Sequence, residues 1–167
     1  MIVFLIGFMG CGKSYIGRHV AELIGMDYLD MDLEIETRTG KSINQIFEDI
    51  GESGFRTLET KFITSLQANQ NIIISTGGGA PCFGNNMELI NKKGISIYLN
   101  RSKEIAFAQL LKGQAKRPLI KEMTEEELNN FYDKKLNERK IYYEKANFLA
   151  GNRDFVAIAK LIKTLQL

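Results

Sequence analysis

Residues 7–14 contain the clearest chemical signal in this sequence. They read GFMGCGKS, in which four residues separate Gly7 from the triplet Gly12-Lys13-Ser14. Glycines at this spacing let backbone N–H groups close around a polyphosphate. Lys13 can reach the β- and γ-phosphates of a nucleotide, and the hydroxyl of Ser14 can ligate Mg²⁺. The segment is therefore predicted to be a phosphate-binding loop, against the alternative of a glycine-rich turn that binds nothing.

Three other segments carry groups that could act on a bound phosphate. Asp30 and Asp32 end a predicted strand, where both can point toward Mg²⁺ and an acceptor hydroxyl, or form only a solvated acidic turn. Glycines 77–79 allow close approach of the backbone to a ligand, or form only a tight turn. The basic loop around Arg117 can fold over the phosphates as a lid, or remain a solvated surface loop.

The phosphate-binding loop is flanked by the two elements that such a loop needs. Residues 2–6 read IVFLI, which is typical of a strand buried on both faces of a parallel sheet. Residues 16–24 place apolar side chains at helical spacing. The loop therefore lies where a strand leads into a helix, whose N-terminus adds partial positive charge for an anion.

Strands and helices alternate along the rest of the chain. The pattern predicts strands at 2–6, 28–32, 71–75, 95–99 and 148–150 and helices at 16–24, 33–38, 43–50, 52–67, 85–93, 103–112, 124–145 and 154–167. Gly51 is predicted to separate two helices, and Ser42, Ser102 and Thr124 to cap helix N-termini.

This alternation predicts an α/β fold with a central parallel five-stranded sheet and helices on both faces. Ligands bind such sheets at the carboxyl ends of the strands. The phosphate-binding loop, the two aspartates and glycines 77–79 all follow strand ends. They are therefore expected to converge on one crevice.

Composition limits the functional classes. The 167 residues suit a single domain, and 44% hydrophobic with 25% charged residues is ordinary for a globular protein. A net charge of +2 argues against a nucleic-acid or membrane surface. The two cysteines form no disulfide-type pattern, which favours the cytoplasm. No hydrophobic stripe is left without a core to join, so a monomer is expected.

Several motifs together resemble those of the shikimate kinase family. They are the phosphate-binding loop, Leu29-Asp30-Met31-Asp32, Phe55-Arg56-Thr57-Leu58-Glu59, Gly77-Gly78-Gly79, Arg117-Pro118-Leu119 and Glu138-Arg139, in the family's order and spacing. The resemblance implies a P-loop kinase fold in a single domain, 1–167. It also implies a shikimate-binding helical region at about 32–62 and a mobile lid at about 113–124.

The resemblance implies a nucleotide site and a reaction. The family transfers the γ-phosphate of ATP to the 3-hydroxyl of shikimate. Lys13 and Arg117 would act in catalysis, and Ser14 and Asp30 would hold Mg²⁺. The nucleotide would be bound by Gly10, Cys11, Gly12, Lys13, Ser14, Tyr15, Arg117 and Arg153.

The resemblance also implies an acceptor site. Asp32 would contact the shikimate hydroxyls and take the proton from the attacking one. Arg56 and Arg139 would bind the carboxylate, since a guanidinium is planar, permanently charged and a bidentate donor. Gly78 and Gly79 would present backbone N–H groups to the ring hydroxyls, and Gly77 would also belong to the substrate site.

Two positions depart from the family pattern. Tyr15 stands where a small hydroxyl residue is common, and little effect is expected because only its backbone amide is needed. The segment before the lid lacks an arginine that often stacks on adenine, and Lys112 is a weaker substitute. The alternatives are a related kinase for gluconate or a nucleoside monophosphate, and an ATP-binding switch that transfers no phosphate.

Overall fold

Strand β1 (Ile2–Ile6) lies at the centre of a parallel five-stranded sheet. The computed structural model describes residues 1–114 and 120–165. The other strands are β2 (Asp27–Asp30), β3 (Ile72–Ser75), β4 (Ile95–Tyr98) and β5 (Phe148–Leu149), and the sheet order is β2-β3-β1-β4-β5. The predicted five-stranded parallel sheet is confirmed.

Helices cover both faces of the sheet. They are α1 (Lys13–Ile24), α2 (Met31–Thr39), α3 (Ile43–Ser65), α4 (Asn86–Lys93), α5 (Lys103–Lys112), α6 (Glu125–Tyr143) and α7 (Phe155–Leu165), with a 3₁₀ turn at Ala80–Cys82. Because side chains alternate along a strand, β1 contributes to two apolar cores. Phe4 faces a core shared with α2 to α6, and Leu5 faces a core shared with α1 and α7.

None of the helices that the structure describes has both the length and the apolar character needed to span a membrane.

The loop between β1 and α1 packs closely against α5. Gly10 has φ 83°, and a Cβ at this position would lie 2.4 Å from the carbonyl oxygen of Ala106. A side chain there would meet both an unfavourable backbone conformation and a backbone atom. Glycine at position 10 therefore fixes how near the phosphate-binding loop lies to α5.

The predicted helix caps are confirmed at two of three positions. Capping boxes join Ser42 to Gln45 and Thr124 to Glu127. Ser102 occupies the N-cap position of α5, but its side chain makes no capping hydrogen bond, so that prediction is wrong.

Helix α3 changes direction at Gly51, where φ is 68° and ψ is −179°. This conformation is accessible essentially to glycine alone. The predicted break between two helical segments is therefore confirmed, although the second segment ends at Ser65 rather than at residue 67. The kink allows α3 to contribute residues from both segments to the same cavity wall.

Replacing Gly51 by alanine is expected to lower the free energy of unfolding by about 1–3 kcal/mol, because a Cβ makes this positive-φ conformation strained. Urea denaturation measures this change. Ser53→Ala, at an exposed helical position two residues away, is the control and should leave stability within about 0.5 kcal/mol of the parent. Equal stability of the Gly51→Ala protein would contradict the assigned strain.

Candidate active site

A cavity of about 670 Å³ opens at the carboxyl ends of β1, β2 and β3. As the sequence predicts, this cavity brings together the phosphate-binding loop, both aspartates, Gly77 and Gly78, whereas Gly79 does not line it. Its walls are Met9, Gly10, Cys11, Gly12, Lys13, Ser14, Tyr15, Ile16, Asp30, Asp32, Thr76, Gly77, Gly78, Arg101, Ile105 and Gln109. This volume is within the range of pockets that bind small molecules.

Lys13 begins α1 and is buried against its own loop. Its Nζ donates hydrogen bonds to the carbonyl oxygens of Gly7 at 2.9 Å and Phe8 at 3.0 Å. These neutral partners satisfy the ammonium group without an acidic side chain. Its positive charge is consequently available to an anion in the cavity.

Ser14 and Asp30 form a polar pair beside Lys13. The hydroxyl of Ser14 donates to Oδ2 of Asp30 at 2.7 Å. The other oxygen of Asp30 caps α2 by accepting from the backbone N–H of Asp32 at 3.2 Å and of Leu33 at 3.5 Å. The helix N-terminus thus holds the Asp30 carboxylate in place and favours its negative charge.

A second cavity of about 190 Å³ adjoins the first. Both are lined by Met9, Asp32, Gly77 and Gly78. Apolar side chains form much of the second cavity, and its remaining lining residues are Ile43, Phe47, Phe55, Arg56, Glu59, Gly79, Ile120 and Arg139. Two arginines and two acids in a small apolar cavity suit an anionic ligand that also carries hydroxyl groups.

Asp32 lies where the two cavities meet. Its Oδ1 is inaccessible to solvent and has no hydrogen-bond partner among the described residues. Burial, with a smaller contribution from the nearby Asp30, raises the pKa of Asp32 to about 6. Asp32 is therefore ionised at neutral pH but is a stronger base than an ordinary aspartate.

Arg56 is held by two glutamates of its own helix. Its guanidinium lies 2.7 Å from the fully buried carboxylate of Glu59 and 3.0 Å from that of Glu52. Burial alone would lower the pKa of Arg56, but the two carboxylates raise it overall. The arginine therefore keeps its charge in a largely buried position.

Glu59 is a site residue that the sequence analysis did not assign. Its Oε1 has no hydrogen-bond partner among the described residues, and burial raises its pKa to about 7 despite the neighbouring Arg56. The available signal was its position three residues after Arg56, which puts both side chains on one side of α3. Burial of that side is a tertiary property, so the spacing alone did not reveal it.

Arg139 enters the second cavity from α6. Its guanidinium lies 5.6 Å from the centre of the Phe8 ring, and its charge acts on Glu59. Within residues 1–114 and 120–165, no carboxylate lies within ion-pair distance of Arg139. Arg56 and Arg139 also line a neighbouring open cavity of about 360 Å³.

Gly77 and Gly79 are needed because side chains crowd their Cα atoms. A Cβ on Gly77 would lie 2.8 Å from Oε1 of Glu59 and 2.9 Å from Oδ1 of Asp32. A Cβ on Gly79 would lie 2.3–2.7 Å from the Arg56 guanidinium. The triple glycine therefore lets the two acids and the arginine lie close to the backbone. The sequence analysis predicted close approach of a ligand at these glycines, and did not predict close approach of these side chains.

Replacing Gly79 by alanine is expected to displace Arg56 and to raise the KM for the anionic acceptor about 10-fold, because its guanidinium must leave the Cβ position while two glutamates hold it. The KM for the nucleotide should stay within about twofold, since Gly79 does not line the larger cavity. Steady-state kinetics with each substrate varied separately measures both values. A loss confined to the nucleotide would refute the expected displacement.

A family model described as shikimate kinase matches residues 9–166. The chain belongs to the shikimate kinase family. Among curated relatives, the shikimate kinase of Flavobacterium johnsoniae is 42% identical over 146 residues, covering 86% of this chain and 85% of the relative. That of Azobacteroides pseudotrichonymphae is 40% identical over 148 residues, covering 88% and 87%.

Solved shikimate kinases have the same fold as this family member. The crystal structure from Bacteroides thetaiotaomicron has a TM-score of 0.90 and 32% identity, and the match covers 100% of this chain and 99% of that one. The shikimate complex from Acinetobacter baumannii has a TM-score of 0.81 and 35% identity, covering 99% and 92%. The predicted P-loop kinase fold and family are confirmed.

Most residues that the shikimate kinase resemblance assigned lie at one of the two joined cavities. Arg153 does not line either cavity; it is exposed and donates to the carbonyl oxygen of Leu149 at 2.9 Å. Its nucleotide contact stays a prediction. Arg117 lies outside the described residues, so its two predicted roles also remain predictions.

Proposed function

We propose that this protein transfers the γ-phosphoryl group of ATP to the 3-hydroxyl of shikimate, giving ADP and shikimate 3-phosphate. The observation that carries the proposal is the junction of two cavities at Asp32. One contains a phosphate-binding loop, and the other contains two arginines in an apolar surround. Membership of the shikimate kinase family, and the shikimate bound by the relative from Acinetobacter baumannii, support this assignment.

On the nucleotide side, the loop amides from Gly10 to Tyr15 bind the phosphates. Lys13 moves its Nζ from the carbonyl oxygens of Gly7 and Phe8 to the β- and γ-phosphates. The Lys13 ammonium group thereby exchanges neutral acceptors for anionic phosphate oxygens, which form stronger hydrogen bonds.

Mg²⁺ fits the polar pair of Ser14 and Asp30. The described residues contain no group of three acidic, histidine or cysteine side chains that could enclose a metal. That arrangement suits Mg²⁺, which usually takes few protein ligands besides phosphate oxygens and water. Ser14 would ligate the ion and Asp30 would hold one of its waters. When bound, the ion neutralises charge on the phosphates.

On the acceptor side, Arg56 and Arg139 bind the carboxylate of shikimate. Glu59 positions Arg56 through the 2.7 Å ion pair. Asp32 and the backbone N–H groups of glycines 77–79 bind the ring hydroxyls. The apolar walls of the cavity fit the ring faces, so position and orientation are both set before transfer.

The chemical step needs a base at the attacking hydroxyl. Asp32 accepts the hydroxyl proton while the oxygen forms its bond to the γ-phosphorus and the bond from that phosphorus to ADP breaks. A pKa of about 6 suits this task, because Asp32 is charged at neutral pH and still a competent base. The phosphoryl group passes between the cavities at their shared wall.

The lid at about 113–124 belongs to the same proposal. Arg117 would stabilise charge on the transferred phosphoryl group and exclude water, as the resemblance implies. The side-chain amide of Gln114 donates to the carbonyl oxygens of Ile120 at 2.8 Å and Met123 at 2.6 Å. These bonds hold the two flanks of residues 115–119 together.

We further expect a single domain, a monomer and a cytoplasmic location.

A coupled ADP-release assay tests the function. The protein is incubated with Mg²⁺ and ATP, with and without shikimate, and with gluconate and AMP as control acceptors. ADP release that depends on shikimate is the expected result. Shikimate-independent release, or release stimulated only by gluconate or AMP, would overturn the proposal in favour of a related kinase or a non-transferring switch.

A further inference from the structure

Tyr15 is an exposed aromatic residue inside the nucleotide cavity. Its side chain is 61% exposed, although it lines the same cavity as Lys13 and Ser14. More than half of this large aromatic residue is therefore left open to solvent or to a ligand in the cavity. The role expected from the sequence, a backbone amide alone, leaves this ring unexplained.

Two neighbouring rings fix the orientation of Tyr15. The His19 ring lies 4.2 Å from it between centroids, and Phe155, at the start of α7, lies 6.4 Å away in an edge-on arrangement. His19 is itself 5.1 Å from Phe155 and in hydrogen-bond contact with the carbonyl oxygen of Tyr15 at 2.8 Å. The three rings form a supported cluster, so little conformational entropy remains for Tyr15 to lose on binding a ligand.

Helix α5, against which the phosphate-binding loop packs, forms part of the cavity wall. Ile105 and Gln109 lie one helical turn apart and both line the cavity. Ile105 is a second exposed large apolar residue at the same cavity, with 43% of its surface accessible. Lys112, the substitute expected from the sequence, is not among the residues that line this cavity.

We propose that the Tyr15 ring is the stacking surface for the purine base of the nucleotide, with Ile105 as a second apolar contact in the same cavity. This inference rests on the proposed function and extends it to the base-recognition residue. It assigns the adenine contact to Tyr15 and Ile105 rather than to Lys112. Stacking on an aromatic ring depends on the π-face that every base has, so it provides affinity with little discrimination between adenine and guanine.

Comparing a ligand that has a purine base with one that has only phosphates isolates the role of the Tyr15 ring. Tyr15→Ala is expected to weaken ADP binding about 10-fold, while the affinity for inorganic tripolyphosphate stays within about twofold. Tyr15→Phe should restore the ADP affinity, since the ring face is retained. Leu23→Ala, at an exposed apolar position on the same helix outside the cavity, is the matched control. Isothermal titration calorimetry gives all four comparisons.

The outcomes separate stacking from a structural role. Equal losses for ADP and tripolyphosphate would show that the substitution disturbs the loop, and would overturn the proposal, as would unchanged ADP binding. Transferred nuclear Overhauser effects between Tyr15 ring protons and the base protons of bound ADP provide a second readout. These binding tests need no acceptor, so a failure of shikimate phosphorylation would be seen separately in the ADP-release assay.

Discussion

Replacing Asp32 by asparagine is expected to lower kcat by about 10²–10⁴-fold, the range usual for loss of a general base. The amide keeps the size of the side chain but cannot accept the proton of the attacking hydroxyl. Asp32 stands at the shared wall of the two cavities, where that hydroxyl must lie. Steady-state ADP release at saturating substrates measures the loss. Asp27→Asn, at the exposed start of β2, is the control for removing an acid nearby.

The pH profile provides a second test of Asp32. Since its pKa is raised to about 6, protonation below that pH should remove the base, and kcat/KM for shikimate should fall on the acidic side. The residual activity of Asp32→Asn should lack this acidic limb. If the acidic fall in kcat/KM is unchanged in Asp32→Asn, it must come from another titrating group. Glu59, with a pKa of about 7, is then the nearest candidate.

The substitution Asp32→Asn should also stabilise the folded protein. Burial holds the pKa of Asp32 in the folded protein at about 6, above that of an ordinary aspartate, so folding favours the protonated carboxyl and stability is lost as pH rises between about 4 and 6. Asparagine removes that penalty, and we expect about 1–3 kcal/mol of added stability at pH 8. Higher stability together with lost activity would show that the folded protein retains this charge for function. Lower stability at pH 8 would contradict the assigned burial cost.

Replacing Arg56 by methionine is expected to raise the KM for shikimate about 100-fold or more, since a buried charged hydrogen-bonding partner of the carboxylate is lost. Arg56→Lys should give a smaller increase, because an ammonium keeps the charge but not the bidentate geometry. Neither variant should change the affinity for ATP, since Arg56 does not line the larger cavity. Arg38→Met, which breaks the exposed ion pair with Glu34 on α2, is the control. A pure loss of ATP affinity would contradict the assignment.

The stability of the Arg56 variants separates binding from folding. Arg56→Met leaves the fully buried Glu59 carboxylate without its partner, which typically costs about 3–5 kcal/mol. Adding Glu59→Gln should restore much of that stability, since the unpaired charge is removed. Shikimate binding should remain weak in the double variant. Recovery of binding would mean that Arg56 acts only by supporting the fold, and that the carboxylate is bound elsewhere.

The sequence by itself was sufficient for the phosphate-binding loop, the sheet and the family. The loop is contiguous, and its eight residues carry the glycines, Lys13 and Ser14 at fixed spacing. The strands of a parallel sheet are buried on both faces, so they appear as continuous apolar runs such as residues 2–6. The break at Gly51 was also readable, because glycine interrupts a helical pattern locally.

Only the tertiary structure showed which polar side chains are buried. Arg56 and Glu59 are charged residues three positions apart on α3, yet packing against glycines 77–79 buries both and raises the pKa of Glu59. The exposed ring of Tyr15 acquires its position from Phe155, which lies 140 residues later in the chain. Local residue spacing was enough to predict the phosphate-binding loop and the sheet. The burial of the acids, their pKa values and the position of the Tyr15 ring depend on segments distant in sequence, so only long-range packing determined them.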